Sequence, residues 1–110
     1  MQGKYAQAEA LFIKVLEIRR RISGEENPAT ALAMNNLAVL YGKEGKWAQA
    51  EPFLASALAI RRRVLGDEHP LTLMSMGNLG FVYQVQGKYA QAEPLSIRAV
   101  DVYKRQPSRR

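Results

Sequence analysis

Apolar residues recur along this chain at the three- and four-residue spacing that places them on one face of a helix. Short stretches containing glycine or proline, residues that begin or end helices, separate the apolar segments. The pattern predicts five helices, over residues 6–22, 28–43, about 47–65, 70–86 and about 89–103. The chain is therefore expected to be all-α.

Two of the predicted helices begin at matching signals, because Asn27 precedes Pro28 and His69 precedes Pro70. An asparagine side chain can accept a hydrogen bond from a free N–H of the first helical turn. Proline suits the first helical position, since it has no N–H to leave unpaired. His69 is the only histidine of the chain, and its place in this joint indicates a structural role.

The heptapeptide Gly-Lys-aromatic-Ala-Gln-Ala-Glu occurs three times, at residues 3–9, 45–51 and 87–93. The period is 42 residues, and residues 3–44 are identical to residues 45–86 at 19 of 42 positions. Self-similarity at such a period indicates a stacked array in which each unit packs on its neighbours. Aromatic residues that recur with this period are predicted to belong to the core: Tyr5, Trp47, Tyr89, Tyr41 and Tyr83.

The composition excludes several classes of site. Hydrophobic residues make up 47 % of the chain, so a packed core is expected. With no cysteine and one histidine, the chain cannot form a disulfide or a usual zinc site. No apolar run approaches the length of a membrane span, and the repeated Gly-Lys lacks the flanking residues of a phosphate-binding loop. We expect no catalysis, no cofactor, no metal and no membrane contact.

The formal net charge of +6 includes two arginine triplets, at residues 19–21 and 61–63, that recur with the repeat. Both triplets fall late in predicted helices, where cations suit the negative end of the helix dipole. We expect them on the outer face of the array or at its edge, in contact with solvent. Binding of nucleic acid through them is not expected, because no aromatic residues are interleaved with them.

Residues 79–83, Leu-Gly-Phe-Val-Tyr, resemble the Leu-Gly-x-x-Tyr of helix A in tetratricopeptide repeats, and residues 37–41 match with alanine for glycine. The 42-residue period and the joint at residues 66–70 are similar to the variety found in kinesin light chains and in the C-terminal arrays of signal-transduction ATPases. The resemblance covers about residues 3–104. It implies a right-handed α-solenoid of antiparallel helical hairpins, phased B-A-B-A-B.

In that family the A helices line a concave groove that holds a peptide. Carried over by position, the peptide-binding groove would consist of Leu32, Asn35, Asn36, Val39, Lys43, Met74, Asn78, Phe81, Gln84 and Val85. Asn36 and Asn78 share a repeat position, and their amides offer donors and an acceptor to a peptide backbone. Asn35 has Gly77 as its counterpart, which leaves its contact open. A terminal carboxylate is not the expected ligand, because Leu32 stands at a position where the chaperone-binding kind has a cation.

Two functions fit these observations. The first is a protein–protein interaction module, a cytoplasmic scaffold or adaptor that binds a partner segment in the groove. The alternative is a regulatory or oligomerising repeat segment of a larger signalling protein, such as a signal-transduction ATPase. The first helix lacks a helix before it and the last lacks one after it, so self-association through the exposed terminal helices is also expected.

The C-terminal residues depart from the repeat. Residues 1–104 are predicted to form the array, truncated at both ends as a fragment of a longer one, and residues 105–110 a disordered tail. The segment 101–106 resembles one reading frame of a transposon-end adapter used in preparing DNA sequencing libraries. We therefore expect residues 101–110 to be non-native.

Overall fold

The structure is a computed structural model that describes residues 2–105. It contains five helices: α1 (Gln2–Ser23), α2 (Pro28–Lys43), α3 (Trp47–Leu65), α4 (Pro70–Val85) and α5 (Tyr89–Arg105). The described residues include no strand, and the all-α prediction is confirmed. None of the helices in this part of the chain is long and apolar enough to cross a membrane.

The start of α1 differs from the prediction, because the helix begins at Gln2 and not at residue 6. Gly45 and Gly87 occupy the repeat position of Gly3 and adopt positive φ angles of 76° and 79°. Each turns the chain from an A helix into the following B helix, with the next N–H bonded back to a carbonyl of the A helix. Gly3 instead lies inside α1.

The two predicted start signals act as helix caps. The Asn27 Oδ1 atom accepts a hydrogen bond from the Ala29 N–H at 2.8 Å, at the start of α2. At the start of α4 the His69 Nδ1 atom accepts from the Leu71 N–H at 3.0 Å. The His69 imidazole therefore caps α4 as the Asn27 side chain caps α2. This confirms the structural role predicted for His69.

Each helix packs mainly on the helices next to it in the chain. The apolar core lies between them and includes Leu16, Met34, Leu37, Leu54, Ile60, Met76 and Leu79. In each A helix a buried threonine donates a hydrogen bond to a backbone carbonyl of the preceding helix or of the residue just after it. The Thr30 hydroxyl donates to the Gly24 carbonyl at 2.6 Å, and the Thr72 hydroxyl donates to the Arg61 carbonyl at 3.2 Å.

Carboxylates near the start of the B helices reach the end of the next A helix. Glu9 accepts a hydrogen bond from the Tyr41 hydroxyl at 3.2 Å, and burial together with this carboxylate raises the pKa of Tyr41. In the next copy Glu51 accepts from the Lys88 ammonium at 2.9 Å and from Gln86 at 2.8 Å. These donors, Lys88 foremost, hold the pKa of Glu51 below its usual value despite partial burial.

Arg61 corrects the prediction for the arginine triplets, because its side chain is buried and only 1 % exposed. Its Nη1 atom donates to the Ser75 hydroxyl at 2.9 Å and to the Leu71 carbonyl at 3.3 Å. Burial lowers the pKa of Arg61, and no carboxylate pairs with it within residues 2–105. In the first copy Ala33 replaces Ser75, and Arg19, which lacks that acceptor, is exposed.

Arg105, which the sequence analysis placed in the tail, is the last residue of α5. It occupies the repeat position of Arg63 and pairs with Glu68 at 3.5 Å and with Asp101 at 3.4 Å. Val102 is fully buried, at the repeat position of the buried Ile60. Arg105 is therefore helical and paired with the array, whereas the predicted division of the chain after residue 104 stays a prediction. The rest of the predicted tail, residues 106–110, lies outside the described residues, and a non-native origin of residues 101–110 stays a prediction.

Replacing His69 with alanine should lower the free energy of unfolding by about 1 kcal/mol, because the first turn of α4 loses its capping acceptor. The variant His69→Asn should retain the stability, since Asn27 caps α2 with the same chemistry. Urea unfolding followed by circular dichroism measures both. Equal stability of the alanine and asparagine variants would show that the imidazole cap contributes nothing.

Replacing Ser75 with alanine should lower the free energy of unfolding by about 1–3 kcal/mol, because a buried guanidinium N–H loses its acceptor. The control is Ser56→Ala, which removes an exposed hydroxyl from α3 and should change stability little. The double variant Arg61→Met, Ser75→Ala should recover much of the loss, since an apolar side chain then fills the site. The same urea titrations give all values, and a Ser75→Ala variant as stable as Ser56→Ala would contradict the assignment.

Candidate peptide-binding groove

The ten predicted groove residues lie on the two A helices, α2 and α4. Eight of them are exposed, whereas Asn78 is half-buried and Asn35 is only 7 % exposed. The structure brings four of them together around one cavity: Val39, Lys43, Asn78 and Phe81. Met74 and Gln84 line other clefts, on the side of α4 that faces α5, and Leu32, Asn36 and Val85 lie on the surface outside the cavity.

The cavity has a volume of about 290 Å³ and is predominantly apolar. Residues of α2, α3 and α4 line it. The lining residues are Ala38, Val39, Gly42, Lys43, Trp47, Leu54, Asn78, Phe81 and Val82. Of these, Lys43, Asn78 and Trp47 carry polar side-chain groups: a cation, an amide and an indole N–H.

Trp47, which was predicted to be a core residue, is half-buried against the core and also lines this cavity. Its ring meets the Phe81 ring edge-on, with centroids 5.8 Å apart. Gly42 makes room for it, because a Cβ atom at Gly42 would lie 2.9 Å from Trp47 Cζ3. In the next copy Gln84 and Tyr89 hold these two positions, and this paired change is the sequence signal that could have indicated the cavity.

The other recurring aromatic residues differ in burial. Tyr41 is buried and stacks on Phe53 with ring centroids 6.1 Å apart, and Tyr83 is partly buried against the core. Tyr89 is 66 % exposed, so the core prediction is wrong for this residue. Among residues 2–105 no A helix follows α5, whereas Trp47 at the same repeat position meets Phe81 of the following A helix.

Asn35 and Asn78 form a bridge between the two A helices. The Asn78 Nδ2 atom donates to Asn35 Oδ1 at 3.2 Å. Asn36, at the repeat position of Asn78, is exposed, and no residue among 2–105 supplies the matching acceptor. The two asparagines at this repeat position are therefore not equivalent. The bridge to Asn35 uses one of the two N–H donors of Asn78 and does not use its amide oxygen.

Several arginines of the triplets form ion pairs with acidic side chains. Arg20 pairs with Glu25 at 3.1 Å, Arg62 with Asp67 at 3.5 Å, and Arg63 with Glu26. These groups are exposed, so each pair is worth at most about 1 kcal/mol. The pairs reduce the positive potential that the triplets offer to a polyanion.

The profile of the tetratricopeptide repeat family matches residues 1–62 and residues 32–105. The chain belongs to this family. Its repeats are of the kinesin-light-chain-like type, and the predicted solenoid of helical hairpins is confirmed. Tetratricopeptide repeats are in general non-catalytic modules for protein–protein interaction.

Three solved structures share the fold. A kinesin-light-chain-like protein of Podosopora anserina, with nearly identical TPR-like repeats, is 26 % identical with a TM-score of 0.87. A variant of that protein with one glutamine replaced by methionine is 25 % identical with a TM-score of 0.88. BtubC (BKLC) from P. vanneervenii is 24 % identical with a TM-score of 0.86 and shows the fold alone.

The matches cover 96–97 % of this chain but only 42–51 % of the solved chains. The chain thus spans about half the length of the structures it resembles. Among the curated proteins, none is similar enough in sequence to count as a match.

Proposed function

We propose that the chain binds a segment of a partner protein in the concave groove between α2 and α4. The observation that carries this proposal is the apolar cavity between the two A helices, with Trp47 and Phe81 in its lining. Such a volume lies at the lower limit of pockets that hold small molecules, and it suits a single side chain of a peptide. Burying one large apolar side chain there would contribute about 1.5–3 kcal/mol to binding.

Polar groups around the cavity would fix the position of the bound segment. Asn36 is exposed on the same helix as Val39, and the Asn78 amide lies at the cavity itself. Both can hydrogen bond to an extended peptide backbone, which carries a donor and an acceptor at each residue. Lys43 adds a cation at the rim. The groove therefore favours a segment with one apolar anchor and backbone contacts beside it.

The alternative, a regulatory segment of a signal-transduction ATPase, gains no support from the structures that the chain resembles. Self-association remains a prediction, and what supports it is the exposure of apolar side chains on the outer faces of α1 and α5. A cytoplasmic location likewise stays a prediction. Nucleic-acid binding is disfavoured by the acidic partners of Arg20, Arg62 and Arg63.

A phage-displayed library of random dodecapeptides, selected on the intact chain, supplies a probe without knowledge of the partner. Calorimetric titration of a selected peptide then tests the groove. Phe81→Ala should weaken binding about tenfold, because the anchor loses part of its wall. The control Ile97→Ala removes an exposed apolar side chain from α5 and should leave the affinity unchanged.

The double variant Asn36→Ala, Asn78→Ala should also weaken binding while the array stays folded. Asn36→Ala alone should leave stability unchanged, whereas Asn78→Ala should lower it by about 1 kcal/mol through loss of the bridge to Asn35. The groove assignment is wrong if the selected peptides bind the Phe81 variant and the double variant as tightly as they bind the natural chain.

A further inference from the structure

The exposed residues of α2 lie on a single face of the helix. Leu32, Asn36, Val39 and Lys43 follow one another at spacings of four, three and four residues, and every other residue of α2 is buried or partly buried. This spacing aligns their side chains along one side of a helix. Because Val39 and Lys43 line the cavity, it is the side that α2 turns toward the groove. That side is apolar at two places, Leu32 and Val39, with an amide between them.

α4 presents the same order of groups at the equivalent repeat positions. Met74 and Phe81 are 47 % and 56 % exposed, and the half-buried Asn78 stands between them in the sequence. The hydrogen bond of 3.2 Å from Asn78 to Asn35 connects the two helices at this middle level. The groove therefore has two apolar levels, one at Leu32 and Met74 and one at the cavity, with amides between them.

The distance between the two apolar levels restricts the conformation of a bound segment. Leu32 and Val39 are seven residues apart, which corresponds to about 10.5 Å along a helix. A polyproline II segment returns to the same side after three residues, over about 9.3 Å, and so places side chains at both levels. A β-strand repeats its side at about 6.7 Å or about 13 Å and matches neither. An α-helix lying along the groove would match with residues seven apart.

The hydrogen-bonding groups of the groove favour polyproline II over an α-helix. The Lys43 ammonium and the Trp47 indole at the cavity can only donate. Asn36 adds two N–H donors, and its side chain forms no hydrogen bond within residues 2–105. The backbone carbonyls of a polyproline II segment have no internal partner and are open to such donors. An α-helix uses its carbonyls internally, so it would leave the donors of the groove unpaired.

The charge and the aromatic lining of the groove suit a proline-rich segment. α4 contains no charged residue, α2 contains only Lys43, and none of the residues that line the cavity carries a carboxylate. Proline keeps its backbone carbonyl but has no N–H, so a proline-rich segment is neutral and rich in acceptors. The Trp47 and Phe81 rings meet edge-on at 5.8 Å, and aromatic-lined grooves are the surfaces on which such segments dock.

We propose that the groove binds a proline-rich segment of the partner in the polyproline II conformation. One apolar side chain of this segment enters the cavity, and the side chain three residues away lies against Leu32 as a shallower contact. Asn36 and Asn78 donate to the backbone carbonyls between the two. This proposal rests on the function proposed above, because it specifies the segment that the groove holds.

Trp47 is the only tryptophan of the chain, so its fluorescence reports directly on the cavity. The probe is a synthetic peptide with capped ends in which two leucines are separated by two prolines and flanked by prolines. We expect a saturable change in Trp47 emission when this peptide is added to the intact chain. A peptide of the same composition with one proline between the leucines should bind at least about fivefold more weakly, because its leucines face different sides.

Leu32→Ala tests the second apolar contact. It should weaken binding of the two-leucine peptide about threefold and leave unchanged the binding of a peptide with one leucine, whose side chain occupies the cavity. Ile97→Ala removes an exposed apolar side chain from α5 and should change neither affinity.

Asn36→Asp tests the donors between the two levels. The carboxylate keeps the shape of the amide but cannot donate, so binding should weaken about tenfold. Gln49→Glu makes the same change of charge at an exposed amide of α3, outside the cavity, and should leave the affinity unchanged.

Absence of binding by the two-leucine peptide, or equal affinity for the two leucine spacings, would overturn the proposal. The peptides selected from the random library separate it from the function proposed above. If their binding depends on Phe81 but they carry apolar residues seven apart and lose affinity when proline is placed between them, the groove holds a helix. The polyproline II proposal is then wrong while the groove assignment stands. If no peptide of either kind depends on Phe81, both proposals fail.

Discussion

Each helix of this array buries its apolar side chains mainly on the helix before it and the helix after it in the chain. Stability is then a sum of contacts between neighbours, as in other repeat proteins. A helix with a neighbour on both sides, such as α2, buries Met34 and Leu37 almost completely. Among residues 2–105, α1 and α5 have one neighbour each, so they expose residues such as Val15 and Val100 at positions that α3 buries.

The packing of each helix on its neighbours in the chain also explains which contacts repeat. A side chain meets the same partner in successive copies only when both residues recur with the 42-residue period. Glu26–Arg63 and Glu68–Arg105 satisfy this condition. So do Thr30 and Thr72, whose hydroxyls donate to the equivalent carbonyls of Arg19 and Arg61. These contacts keep neighbouring helices in register along the array, although each exposed ion pair contributes little by itself.

Much of this architecture follows from the sequence, because the information is local. The bounds of α2 and α3 agree with the predictions, and those of α4 within one residue, because proline and glycine signals stand at their ends. The burial of Arg61 was missed, since its acceptor is Ser75 in one copy and the position holds Ala33 in the other. A prediction drawn from what the two copies share cannot detect a contact that depends on a residue in which they differ.

The candidate groove also depends on residues that differ between the two copies. Four of the ten predicted residues meet at one cavity, and that cavity depends on Gly42 admitting Trp47 where the next copy has Gln84 and Tyr89. The bridge from Asn78 to Asn35 has no counterpart at Gly77. The helices that form the groove therefore recur with the repeat, whereas the side chains that line it differ between the two copies. A ligand that exploits this chemistry needs a single anchor in a defined place, and a partner with evenly repeated contacts would gain nothing from it.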